Sequence, residues 1–75
     1  MAHLQKLAKS YDFESEYEFF DYIIDSYYNG HRSQVRELYQ EIRYNDDKAQ
    51  FVDYLHEMAT DEVRDEILNI IGLNR

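Results

Sequence analysis

The groups in this chain that could carry chemistry are three histidines, sixteen aspartates and glutamates, and eight lysines and arginines, with no cysteine. His3, His31 and His56 lie far apart, and none forms the His-x-x-x-His pair that turns two imidazoles toward one zinc; His56-Glu57 therefore lacks a second ligand. Asp53 and His56 can share a helix face at i,i+3. A carboxylate di-iron bundle, however, takes two Glu-x-x-His motifs and two further glutamates, which one such pair does not supply. Asn45-Asp46-Asp47 opens like a calcium loop, but no glycine follows at the sixth position and no ligand series continues. A thiol nucleophile is excluded by composition, and there is no Gly-x-Gly-x-x-Gly, P-loop or nucleophile elbow. The chain is therefore read as non-enzymatic, with no catalytic, cofactor-binding or metal-binding residues.

What remains is charge arranged by face. At about 100° per residue, Glu14, Glu18, Asp21 and Asp25 fall within about 60° of one another, away from the phenylalanines of the same segment. No Lys or Arg occurs from Tyr11 to Asn29, so the like-charge pairs Glu14–Glu18 and Asp21–Asp25 have no local basic partner, at a cost of roughly a few tenths of a kcal/mol each. Asp61–Asp65 and Glu62–Glu66 repeat the pattern. Such a line is either a solvated face that keeps a tyrosine-rich chain soluble or a docking face for a basic partner, including one that reads a line of phosphates. Arg32, Arg36 and Arg43 fall within about 40°, with Tyr39 at the edge of the stripe. They read as an arginine–aromatic patch for a carboxylate or phosphate, or as a hairpin seam whose arginines pair with neighbouring carboxylates.

Aromatic side chains are abundant, with eight tyrosines and four phenylalanines. Phe19, Phe20, Tyr27, Tyr39 and Phe51 are core candidates, because rings bury much apolar area per residue in a small domain. Tyr11, Tyr22, Tyr28, Tyr44 and Tyr54 suit either partial burial or a protein-binding surface, where tyrosine anchors and charge steers. The candidate partner-binding set is Glu14, Glu18, Asp21, Asp25, Tyr22 and Tyr28.

The elements that must position these residues are helices. Residues 1–10 carry spaced Leu4, Leu7 and Ala8, compatible with a short extra N-terminal helix or a frayed arm. Ser15 and Glu18 read as a capping box starting a helix over 15–28, with Phe19, Phe20, Ile23, Ile24 and Tyr27 inward and Asn29-Gly30 supplying left-handed residues at its end. Val35, Leu38, Tyr39 and Ile42 predict a second helix over 32–44. Asp46 or Asp47 would cap a third that buries Phe51, Val52, Leu55, Met58 and Ala59. Thr60 would cap a fourth, with Val63, Ile67, Ile70 and Ile71 inward and Gly72 as the stop. Short connections make neighbours antiparallel, so the expected fold class is all-α, a four-helix arrangement of two αα-hairpins.

An internal repeat runs through the pattern. Phe19-Phe20-Asp21-Tyr22-Ile23 returns 32 residues later as Phe51-Val52-Asp53-Tyr54-Leu55, and Val35, Leu38 and Tyr39 align with Ile67, Ile70 and Ile71. Either each half is a copied hairpin completed by the other, or two amphipathic helix pairs of equal length coincide in five residues.

Seventy-five residues make one small domain over 1–75, and 44% hydrophobic residues with no proline are enough for one modest core. The net charge of −8 opposes non-specific binding to nucleic acid or an anionic membrane. It is distributed as +2 over 1–10, −6 over 11–28, +1 over 29–45 and −5 over 46–75. Zero cysteines, no signal-like h-region and no long apolar run fit a cytoplasmic protein with no membrane span.

The stretches Phe-Phe-Asp-Tyr-Ile-Ile from Phe19, Tyr-Asn-Gly-His-Arg-Ser-Gln-Val-Arg-Glu-Leu-Tyr from Tyr28 and Phe-Val-Asp-Tyr-Leu from Phe51 resemble small helical proteins encoded by bacteriophages and other mobile elements. The resemblance covers about half the chain. It implies a setting in which small acidic proteins bind and block a host protein, and it assigns no site residues. The expected function is a protein-interaction module that engages a basic surface on an unidentified partner protein. The alternatives are a homo-oligomer built through the hairpins and a nucleic-acid-binding regulator using Lys6, Lys9, Arg32, Arg36 and Arg43.

Overall fold

Helical periodicity is realised in five elements. The computed structural model describes residues 2–72, and among these there is no strand. Helix α1 (Ala2–Ser10) buries Leu4 and Ala8 completely, so this segment is a core-bearing helix and not a frayed arm. It closes in a Schellman turn, with the Asp12 N–H donating to the Lys9 carbonyl at 2.9 Å and the Phe13 N–H to the Ala8 carbonyl at 3.0 Å. The left-handed position of such a turn usually holds glycine; here Asp12 occupies it at φ 66°.

Helix α2 (Glu16–Tyr28) starts at the expected cap, where the Ser15 hydroxyl accepts from the Glu18 N–H at 3.4 Å. The reciprocal half of the capping box is displaced: the Glu18 carboxylate accepts from the Glu14 N–H at 2.7 Å, one residue upstream of the serine. At the other end the Gly30 N–H reaches the Tyr27 carbonyl at 3.0 Å and the His31 N–H reaches that of Ser26 at 2.8 Å. Only Gly30 is left-handed there, at φ 81°; Asn29 stays at φ −86°.

Helix α3 (Arg32–Glu41) is shorter than the 32–44 pattern, because Ile42 turns extended at φ −75° and ψ 116° while its side chain stays fully buried. Leaving the helix here keeps Ile42 in the core and lets the next element begin three residues later. The Arg43 N–H of this linker donates to His3 Nε2 at 3.0 Å, so α1 satisfies a backbone donor that no helix covers.

Helix α4 (Asn45–Met58) starts with Tyr44 as N-cap and no side-chain cap bond. Asp46 and Asp47, expected as caps, lie inside its first turn, where carboxylates meet the positive end of the helix dipole. Phe51 and Leu55 are fully buried, but Met58, expected on the same face, is 63% exposed, being the final residue where the chain leaves for α5. Helix α5 (Asp61–Ile70) has the expected cap, Thr60 Oγ1 accepting from the Val63 N–H at 3.3 Å, and Gly72 follows it at φ 87°.

Helix α2 packs against α1 and α3, and α5 packs against α3 and α4. Helix α4 reaches across to the first pair through rings: Phe51 lies 5.4 Å from Phe20 and 5.9 Å from Tyr39, centroid to centroid, and all three are buried. Tyr27, expected in the core, is half-buried, its ring on the core and its hydroxyl donating to Glu66 at 2.8 Å. The radius of gyration, 11.4 Å, matches the roughly 11 Å expected of a compact chain of this length. In the repeat, Phe19 and Phe51, Ile23 and Leu55, Val35 and Ile67, and Leu38 and Ile70 are buried in both copies. The turns differ, a glycine-terminated one after α2 and a threonine-capped one after α4.

Two stability outcomes follow. Removing the Phe51 ring costs about 3–5 kcal/mol, as much as a core of this size supplies. Phe51→Ala should therefore lose cooperative urea unfolding by circular dichroism, whereas Phe51→Leu should stay folded with a loss of about 1–2 kcal/mol. Asp12→Gly should stabilise by about 1 kcal/mol and raise Tm by about 4–8 °C, since the left-handed backbone is then unstrained. A lower Tm for this variant would show that the Asp12 side chain outweighs its backbone strain.

Candidate functional site

Glu18, Asp21 and Asp25 of α2 project from the side of the helix opposite Phe19, Phe20, Ile23 and Ile24, which the core consumes. Glu18, Asp21 and Asp25 are exposed and lie on one strip. Glu14, read as the first member of that strip, belongs instead to the turn before α2, and its backbone N–H holds the Glu18 carboxylate. Tyr22 and Tyr28 lie on the same side of the helix, Tyr22 half-buried and Tyr28 62% exposed. Phe13, Glu18, Asp21, Tyr22 and Asp25 line a shallow groove of about 290 Å³ between α2 and the turn that precedes it. Its walls are held in place: Gln34 Nε2 donates to the Tyr22 hydroxyl at 2.7 Å, and the Tyr54 hydroxyl donates to Asp21 Oδ1 at 2.5 Å.

The two acidic lines of the chain differ in how they are neutralised. Arg32 pairs with Glu66 at 3.1 Å, and Arg64 pairs with Asp61 at 3.2 Å and with Asp65 at 3.0 Å, all on carboxylates of α5. Among the described residues no ion pair reaches Glu14, Glu18, Asp21 or Asp25. Asp61, Asp65 and Glu66 of the α5 line are paired within the molecule, whereas the α2 line keeps its charge.

The arginine stripe divides. Arg32 lies 5.7 Å from the centre of the Tyr27 ring while it pairs with Glu66, and Arg36 Nε donates to the Ile70 carbonyl at 3.2 Å, a cation at the C-terminus of α5. Both thus serve the α3–α5 seam. Arg43 lies in the linker after α3, outside the helix that was to align it, and Tyr39 is buried rather than at a surface edge. A second groove, of about 460 Å³, is lined by Arg32, Asp65, Glu66 and Asn69, so its one cation faces two carboxylates. Arg32, Arg36 and Arg43 therefore do not form one continuous stripe on α3.

Three half-buried tyrosines, Tyr11, Tyr27 and Tyr54, bind carboxylates. The Tyr11 hydroxyl donates to both oxygens of Glu41, at 2.8 and 2.7 Å; burial first, and then the Glu41 bond and charge, push its pKa up to about 12. Burial first, and then Asp21, push Tyr54 up to about 12 as well. Tyr27 is raised by its bond to Glu66 and by burial, and Tyr39 by burial. Glu66 is correspondingly lowered, by the Tyr27 bond first and then by Arg32.

Sequence reasoning assigned no role to Phe13, Tyr17, Gln34 or Glu41. The Phe13 position depends on the left-handed turn at Asp12, which the residue type does not announce. Tyr17 was legible in principle, since it precedes Asp21 by four residues and Tyr28 by eleven, both close to whole helical turns. No group of three or more potential metal ligands occurs among the described residues. None of the described helices is long and apolar enough to cross a membrane. No protein-family model matches the chain, and no curated protein or solved structure matches it either.

The raised tyrosines set an alkaline limit. In the unfolded chain they ionise near 10, so between pH 10 and about 12 the unfolded state releases protons that the folded state keeps, and stability falls as pH rises. The urea midpoint should drop through that window, and the Tyr11→Phe, Tyr54→Phe double variant should drop less steeply. An equal slope in both proteins would remove these two hydroxyls as the cause.

Proposed function

We propose that this chain is a non-enzymatic protein-interaction module whose α2 face, carrying Glu18, Asp21 and Asp25 beside Tyr22 and Tyr28, docks on a basic surface of a partner protein. The observation that carries the reading is the contrast in pairing: Asp61, Asp65 and Glu66 of α5 are matched by Arg32 and Arg64, and among the described residues no ion pair reaches Glu18, Asp21 or Asp25. Leaving like charges adjacent costs stability, and a cationic partner would relieve that cost while the field accelerates its approach. The groove supports the same reading, because Glu18, Tyr22 and Asp21 are already held by Glu14, Gln34 and Tyr54, so less side-chain freedom is lost on docking.

Two αα-hairpins, α2 with α3 and α4 with α5, are the arrangement proposed to display this face; the packing of each pair and the matched burial of the repeat support it. A cytoplasmic setting, resting on a composition without cysteine, and the mobile-element setting implied by the resemblance belong to the same proposal. The competing reading, a homo-oligomer, draws on the exposed Tyr17, Tyr28, Tyr44 and Met58.

Affinity capture from the native cell tests the module. Wild type should retain a protein with a basic surface that elutes as salt rises, and the Glu18→Lys, Asp21→Lys, Asp25→Lys variant should lose it while keeping its helical circular dichroism. Asp25→Lys alone, which touches no intramolecular bond described above, should weaken capture without affecting the fold. Retention that neither salt nor charge reversal disturbs would sink the proposal.

A further inference from the structure

Two of the exposed large side chains flank Tyr54. The Tyr17 and Tyr54 rings are 5.7 Å apart, and Met58 follows Tyr54 by one turn of α4, where i and i+4 side chains are neighbours. Tyr17 is 52% exposed and Met58 63%, so α2 and α4 together present an apolar patch that no described residue covers fully. The patch is held in place, because the Tyr54 ring also packs on buried Phe20 at 5.4 Å and its hydroxyl binds Asp21. Asp21 follows Tyr17 by one turn of α2, and the acidic strip therefore begins where the apolar patch ends.

This border restricts what can dock. A purely cationic partner would leave Tyr17 and Met58 in water. A purely apolar one would strip water from Asp21, Asp25 and Glu18 with no charge in return. A second copy of the chain, meeting this face through a two-fold axis, would set one acidic strip against another in a molecule of net charge −8. Along α2, Glu18, Asp21 and Asp25 step by about 4.5 and 6 Å, the rise of cations spaced i,i+3 and i,i+4 on a helix laid alongside.

We infer that the occupant is an amphipathic cationic helix of a partner protein, seating an apolar side chain on Tyr17, Tyr54 and Met58 and its lysines or arginines on Glu18, Asp21 and Asp25. This rests on the docking face proposed above and adds to it the chemistry of the partner. The enrichment of tyrosine and methionine at the buried centre of interfaces, with charge at the rim, is the same division of labour.

Two synthetic helical peptides of equal length and equal positive charge provide the test, one with a leucine stripe and one with glutamine in place of each leucine. Titrated calorimetrically into the full chain, the leucine peptide should bind about tenfold more tightly than the glutamine peptide. Met58→Gln, at an exposed site, should erase that difference without changing the affinity for the glutamine peptide, and Asp25→Lys should weaken both. Equal affinities for the two peptides, or a preference that survives Met58→Gln, would overturn the inference and leave the acidic docking face standing. Failure of both peptides to bind at low salt would remove the docking face itself. A dimer in sedimentation equilibrium that Met58→Gln dissociates would seat a second copy on the patch and also overturn the inference.

Discussion

The fold depends on one aromatic junction. Phe51 of α4 is the side chain that meets both α2, through Phe20, and α3, through Tyr39, with all three rings buried. A chain of 75 residues has few core positions, and large rings let helices that do not lie in close backbone contact still share one apolar interior. Around this junction the aliphatic positions fill in: Leu4 and Ala8 from α1, Ile23 and Ile24 from α2, Val35 and Leu38 from α3, Ile67 and Ile70 from α5. The junction also orients the surface, because Tyr54 extends the same ring series outward from Phe20 to Tyr17 and carries its hydroxyl to Asp21.

Polar groups at the margins of this core are consistently used. Tyr11 binds Glu41, Tyr27 binds Glu66, Tyr22 accepts from Gln34, and His3 accepts from the Arg43 backbone. Among the described residues no buried side-chain nitrogen or oxygen lacks a hydrogen-bond partner. Against that background Glu18, Asp21 and Asp25 of α2 form one exposed strip that no ion pair reaches among the described residues. Arg32 and Arg36, the nearest cations in sequence after α2, are drawn across to α5, one to a carboxylate and one to the end of the helix. Both arginines thus serve α5, and neither is paired with the carboxylates of α2.

Most helices could be located from residue types because their signals are local. Ser15 and Thr60 cap where expected, Gly30 and Gly72 take the left-handed positions, and the inward faces of α2, α3 and α5 follow their apolar spacing. The misplacements share a cause, which is that a neighbouring element overrides local preference. Ile42 leaves the helical conformation while remaining in the core, α4 starts without a side-chain cap, and Asp12 accepts a strained backbone so that α1 can turn into α2. Met58 satisfies the helical period of a core residue, but the core ends before it does.

The candidate face was partly legible for the same reason. The spacing of Glu18, Asp21 and Asp25 is a property of one helix, and periodicity alone put them on one side of it. The groove beside them, the contact of exposed Tyr17 with Tyr54, and the diversion of the arginines to α5 each join residues more than thirty positions apart or depend on a turn that residue type does not announce. By itself the sequence determined an all-helical chain with a concentrated acidic helix, because capping, periodicity and charge act within a few residues. The tertiary structure decided which of those charges are neutralised and which apolar side chains remain in water, because both depend on what the other helices bring within about 4 Å.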